Sequence, residues 1–200
     1  MLVEPVPHAS VERAPGAPTT ARHHETTALL GMVIFIASWA MLFAGLLFAY
    51  GVVRARALVW PPQDLPALPL ALPALATVLL ALSSGALEQA LRIARAGRSG
   101  VTGRIALAAG LGIGFLALQA RVWTRLWQAG LRPESGAYGS TFYGLTVFHA
   151  LHVVVGLLAL AVIAARAAPG GGRLALRLWT LYWHMVGVIW ALVFALVYLV

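Results

Sequence analysis

Five stretches of this chain are apolar enough and long enough to cross a lipid bilayer, and little sequence is left between them. A hydrocarbon core of ~30 Å is spanned by about 20 residues of α-helix rising 1.5 Å each. The stretches at about 28–53, 68–91, 104–127, 140–165 and 177–200 all reach that length. In lipid every backbone N–H and C=O must find its partner inside the protein, so an apolar stretch of this length crosses as a helix. The predicted architecture is therefore all-α, an integral membrane bundle of five transmembrane helices. Of the 200 residues, 61% are hydrophobic and only 10% charged, a balance that excludes an ordinary soluble domain. The breaks between spans carry turn chemistry: WPPQDLPALP, RIARAGRSGVTGR, LRPESGAYGS and RAAPGGGR.

Residues 1–27 are polar and rich in Pro and Ala, without the basic-then-apolar layout of a signal segment, and are expected to form a disordered cytoplasmic tail. Residues 28–200 then form the membrane domain. His8, His23 and His24 lie in the tail, where an adjacent pair of imidazoles is a weak metal signal. With no Cys in the chain, disulfides, thiolate metal sites and iron–sulfur clusters are excluded.

All fourteen basic residues are Arg, and their placement predicts the orientation. Nine fall on one side of the spans (Arg13, Arg22, Arg92, Arg95, Arg98, Arg104, Arg166, Arg173, Arg177) and five on the other (Arg54, Arg56, Arg121, Arg125, Arg132). The positive-inside rule puts the N-terminus in the cytoplasm and, after five spans, the C-terminus outside. Trp60, Trp123, Trp127 and Tyr138 then fall near the outer interface and Trp179 near the inner one, as an aromatic belt requires. Gly110, Gly112 and Gly114 offer a small surface for close helix packing.

The chemistry-bearing residues are few. The run TFYGLTVFHALHVVVG places His149 and His152 on one face of the fourth span, and His184 stands in the fifth. Intramembrane ionisable groups call for a functional reading. A haem held by two of these histidines meets a geometric objection, since His152 and His184 differ in depth by roughly 10 Å when measured along their helices. An oxygen-reducing haem-copper centre needs more imidazoles than three. A transporter or proton pump wants carboxylates or Lys at mid-depth, and the six acids (Glu4, Glu12, Glu25, Asp64, Glu88, Glu134) all lie outside the middle of a span. Glu88, four residues before Arg92, reads as an ion pair at headgroup level. His149, His152, His184, Tyr143, Tyr182, Thr146 and Gln119 are left to satisfy one another between helices or to hold lipid headgroups. That is a binding or scaffolding role, with no metal and no catalytic residue assigned to this chain.

The same residues carry a resemblance. LLGMVIFIAS with MLFAGLLFAY, WPP at 60–62, TVLLALSSGALEQAL, GLGIGFLALQARVWTRL, YGSTFYGLTVFHALHVVVGLL and YWHMVGVIWALVFALVYLV occur in an order that resembles subunit III of the haem-copper oxidases, the cytochrome c and quinol oxidases, in its short five-span form. The resemblance implies a non-catalytic accessory subunit of aerobic respiratory electron transport in a bacterial inner membrane. It would bind phospholipid, pack against and stabilise a catalytic subunit I, alongside a subunit II, and leave haem and copper to those partners. It also marks His149, His152, His184, Tyr143, Tyr182, Trp183, Arg92 and Glu88 as candidates for lipid or subunit packing. Three positions depart from the family pattern: Trp39 and Gly187 stand where carboxylates are usual, and Ala76 where Asn is usual. A branch of the family accompanies nitric-oxide reductases, and the missing carboxylates make it the alternative; a small transporter or a haem protein is a more distant one.

Overall fold

The computed structural model describes residues 19–63, 65–166 and 172–199. Within them run five helices, α1 (Thr19–Arg56), α2 (Ala71–Arg95), α3 (Val101–Gln128), α4 (Ala137–Ala165) and α5 (Arg173–Val193), the last continued by a π-helical end, Phe194–Leu199. All five carry a window long and apolar enough to cross a membrane, and no strand occurs among the described residues. The five-span, all-helical expectation is met.

The helix limits follow local chemistry. Gly100, at φ 103°, and Gly172, at φ 84°, stand immediately before α3 and α5, in a left-handed conformation that costs a side-chain-bearing residue energy. α1 starts earlier than expected. Residues 19–27, assigned from sequence to the disordered tail, continue the helix N-terminally; the rest of that tail, His8 included, lies outside the described residues. The stretch from Thr19 holds no Pro or Gly to stop a helix. Glu25 is anchored by an ion pair to Arg177 of α5 at 2.8 Å, and Thr27 Oγ1 donates to the His23 carbonyl at 2.8 Å. At 38 residues α1 is about 57 Å long, so it outruns a ~30 Å core and its polar turns project beyond it.

Side-chain contacts show the up-and-down order of the bundle. Between α1 and α4, Phe43 meets Phe148 and Trp39 meets His152, so the pairing runs in opposite chain directions. α3 and α4 are likewise antiparallel through Trp123 with Thr146 and Phe115 with His149. Alternate helices α1 and α5 run parallel, with Glu25 near Arg177 and Phe35 near Tyr182. α5 lies at the centre and touches each of the other four. α1 packs mainly on α4 and α5 and leaves most of its surface open, Met41 and Phe48 among it.

The core is aromatic, and one side chain organises it. Trp183 of α5 is fully buried. Its ring lies in a slot made by two glycines: a Cβ on Gly156 of α4 would come within 2.6 Å of it, and one on Gly112 of α3 within 2.9 Å. Its indole N–H donates to Ser83 Oγ of α2 at 3.0 Å, and Ser83 donates onward to the Ala108 carbonyl of α3 at 2.7 Å. Lipid tails are as apolar as the side chains, so helices in a membrane associate through such close packing and hydrogen bonds rather than through exclusion of water. Of the three glycines singled out in α3, Gly112 and Gly114 make close contacts and Gly110 faces open space.

A methyl group in the slot should therefore be felt far more than one outside it. Gly156→Ala is expected to destabilise the bundle by about 1–3 kcal/mol, as overpacked cores do, and Gly110→Ala to leave it unchanged. Thermal unfolding of both variants in the same detergent tests this; equal melting temperatures would show that the slot is not tight.

Candidate functional site

The residues singled out from the sequence gather around the middle of α4. His149 is completely buried, and rings surround it: Phe115 edge-on at 5.8 Å, Trp190 at 5.2 Å and Phe43 at 6.1 Å between centroids. Neither ring nitrogen has a hydrogen-bond partner among the described residues. His152, one turn on, is 5% exposed. Its Nδ1 lies 2.7 Å from the Phe148 carbonyl. A carbonyl only accepts, so Nδ1 carries the proton and Nε2 is left as the bare acceptor, without a partner. Trp39 of α1 closes over this imidazole edge-on at 4.2 Å.

The remaining candidates are distributed around this pair. Tyr182 donates from its hydroxyl to the His152 carbonyl at 3.0 Å, and Tyr143 donates to the Leu131 carbonyl at 2.9 Å, tying α4 to the turn after α3. Trp183 fills the glycine slot described above. His184, Glu88 and Arg92 form a separate, partly exposed group: Arg92 Nε donates to Glu88 Oε1 at 3.1 Å, and His184 Nε2 lies 3.7 Å from Glu88 Oε2. The structure thus brings His149 and His152 into one aromatic cluster and leaves His184 with Glu88. His23 and His24 lie exposed on the projecting part of α1. Among the described residues no three His, Asp or Glu side chains gather closely enough to hold a metal ion.

Several partners escaped the sequence reading. Trp190 donates its N–H to Thr77 Oγ1 of α2 at 2.9 Å, and Trp123 donates to Thr146 Oγ1 of α4 at 3.0 Å. With Trp183 and Ser83, this makes three tryptophans joined by one device. An indole N–H in an apolar span needs an acceptor, and here a hydroxyl of a neighbouring helix supplies it. Each hydroxyl keeps its own proton for a carbonyl, Thr77 for Pro73 and Thr146 for Phe142, both at 2.8 Å. The available signal was a Trp in mid-span facing a Ser or Thr in another, though a sequence does not say which pairs face. Gln119 Nε2 and the Tyr198 hydroxyl add a weaker bond at 3.4 Å, where the wider π turn sets Val197 and Tyr198 inward.

The chemistry this arrangement supports is packing and recognition: neutral, enclosed hydrogen bonds within a rigid bundle, with the charged groups kept to its ends. The family described as Cytochrome c oxidase subunit III matches residues 16–200. The chain belongs to the cytochrome c oxidase subunit III family. Among its relatives, cytochrome c oxidase subunit 3 of Synechocystis sp. is 32% identical over 191 residues, covering 92% of this chain and 81% of the relative. The probable cytochrome c oxidase subunit 3 of Nocardia farcinica is 33% identical over 198 residues, covering 93% and 96%. Cytochrome c oxidase subunit 3 of Thermostichus vulcanus is 31% identical over 185 residues, covering 90% of each.

Membership makes the two carboxylate positions instructive. Trp39 is the residue that covers His152, so this subunit III-type chain has an aromatic edge against the imidazole at that place. At Gly187 an added Cβ would meet only Ser84 Oγ of α2, at 3.4 Å, an ordinary contact; the place is not sterically closed to a side chain.

Because neither nitrogen of His149 is bonded, an apolar side chain of similar size should serve as well there. His149→Leu is expected to hold or raise the stability of the bundle, by up to about 1–3 kcal/mol if the unpaired polar atoms carry their usual penalty. A fall of more than about 2 kcal/mol in reversible unfolding would show that the imidazole makes a bond essential to the fold.

Proposed function

We propose that this chain is the accessory subunit III of a haem-copper terminal oxidase in aerobic respiratory electron transport. It lies in a bacterial inner membrane with its N-terminus in the cytoplasm, packs against the catalytic subunit I beside a subunit II, and binds phospholipid. Haem and copper belong to those partners. The observation that carries this reading is the likeness to chains named cytochrome c oxidase subunit 3 along nearly the whole length, from the projecting end of α1 to the π-helical end. The placement of the polar groups agrees with it. The mid-membrane histidines are enclosed by their own bundle, and the exposed ionisable groups stand at the ends of the helices, where they serve contacts with headgroups or partner loops rather than electron or proton transfer. The excess of arginines at the end holding the α2–α3 turn and the start of α5 supports the cytoplasmic assignment of that end. The open outer face of α1, with Phe48 75% and Met41 78% exposed, offers apolar surface to a partner within the membrane.

An accessory subunit of this kind acts on the lifetime of its catalytic partner. Removing the gene for this chain is expected to leave an oxidase that starts turnover at a comparable rate and then inactivates several-fold sooner. Oxygen consumption followed through many turnovers in membranes with and without the chain tests this. Unchanged time courses would contradict the stabilising role, and complete loss of initial activity would point to a part in catalysis itself.

A further inference from the structure

α5 is the central helix, yet one side of it is bare. α1 and α2 both pack on it without packing closely on one another. α1 meets it through Phe35 on Tyr182, and α2 through Glu88 beside His184 and Ser84 beside Gly187. Between these contacts Leu181, Val188 and Leu192 are 39%, 61% and 48% exposed. With His184 and Ala191 they form one stripe at helical spacing, the ~100° of surface by which a helix faces a neighbour. The gap between α1 and α2 is therefore a groove of one helix's width, with α5 as its floor.

The polar groups of this groove ask for more than lipid. Glu88 lies seven residues before the end of α2 and His184 eleven after the start of α5, so about 10 Å and 16 Å inside those ends at an α-helical rise. Their side chains are 32% and 40% exposed. Ionisable groups at such depth belong in a bundle interior or against another polar group, because hydrocarbon offers them no hydrogen bond. Within the chain the pair is half satisfied. Arg92 Nε donates to Glu88 Oε1 at 3.1 Å, whereas Oε2 has His184 Nε2 at 3.7 Å, beyond bonding distance. Arg177, on the same stripe, is held by Glu25 at 2.8 Å. The groove also admits close approach: a Cβ on Gly85 would meet nothing within 4 Å, and one on Gly187 only Ser84 Oγ at 3.4 Å.

Three occupants can be weighed against these groups. Acyl chains would fill the groove and leave Glu88 Oε2 without a donor. A second copy of this chain, related by a two-fold axis along the membrane normal, would keep every residue at its own depth and set Glu88 against Glu88. A helix of another polypeptide, with a hydrogen-bond donor at that depth, satisfies the oxygen and covers the stripe. The open face of α1, with Met41 and Phe48, makes no such demand.

We propose that this groove receives one transmembrane helix of the haem-bearing partner subunit, and that this helix places an N–H or O–H donor on Glu88 Oε2 and a side chain over Gly187. The docking face rests on the reading of the chain as an accessory subunit, and it adds which helices meet the partner, namely α2 and α5.

The test uses the tagged chain in the complex extracted from native membranes. The photoreactive residue p-benzoylphenylalanine replaces Val188 in one preparation and Leu151, on the outer face of α4, in another. Irradiation should join position 188 to the haem-bearing polypeptide, identified by peptide mass, in several-fold higher yield than position 151. Glu88→Leu should lower the haem retained per tagged chain after detergent washing by roughly tenfold, the loss of one hydrogen bond to a charged group. Glu88→Gln, which keeps an acceptor oxygen, should stay near the parent, and Val188→Trp, which obstructs the groove with Glu88 intact, should lose haem as Glu88→Leu does. These side chains are exposed in the isolated chain, so its melting temperature should stay the same in all three variants. Parental haem retention by Glu88→Leu, equal yields from the two photoreactive positions, or a link from position 188 to a second copy of this chain would overturn the proposal. Haem retained while position 188 links to no protein would mean that lipid covers the groove, and would sink the docking face alone. A parent chain that retains no haem would sink the accessory-subunit reading with it.

Discussion

The bundle depends on the fit of one indole between two glycines. Trp183 reaches from the central helix into the space left by Gly112 and Gly156, and its N–H reaches a third neighbour at Ser83. One side chain thus sets the spacing of α3 and α4 against α5 and the rotation of α2 about its axis. In a membrane this matters more than in water, because apolar surface gains little by leaving lipid for protein. What holds helices together is the contact a lipid chain cannot imitate, a flat ring in a matching slot or a hydrogen bond aimed at one hydroxyl.

The other polar groups follow the same rule. Trp123 and Trp190 each place an indole N–H on a threonine of a neighbouring helix, and each threonine passes its proton to a carbonyl one turn back in its own helix. Among the described residues no Asp, Glu or Arg is buried in the core. His149 and His152 are part of this economy rather than an exception: Phe43, Phe115, Trp190 and Trp39 enclose their rings, and the one clear bond either makes is a turn of its own helix. Charge is kept towards the ends, in the pairs Glu88 with Arg92 and Glu25 with Arg177.

The architecture was legible because bilayer thickness and backbone satisfaction leave a long apolar stretch one solution, and five such stretches with turn residues between them leave a bundle. The start of α1 was misjudged because polar composition was read as disorder, when the helix could simply run on past the membrane and be fastened by Glu25 to Arg177. Tyr143, Tyr182 and Trp183 were legible as packing residues, but their partners were not: Ser83, Thr77 and Gly156 acquire meaning only once the rotation of each helix is known. Trp39 was legible as a departure from family pattern, and only the structure shows that it lies against His152.

On the proposed function, a bundle with this closed, neutral core works beside a redox subunit without carrying redox chemistry itself. The most direct measurement is the reduced-minus-oxidised absorption spectrum of material purified from native membranes through a tag on this chain, compared with the same chain purified after expression alone. Haem bands are expected in the first, together with a second polypeptide, and a featureless visible spectrum in the second. Haem bands stoichiometric with the isolated chain, or a native preparation in which this polypeptide is alone and colourless, would contradict it.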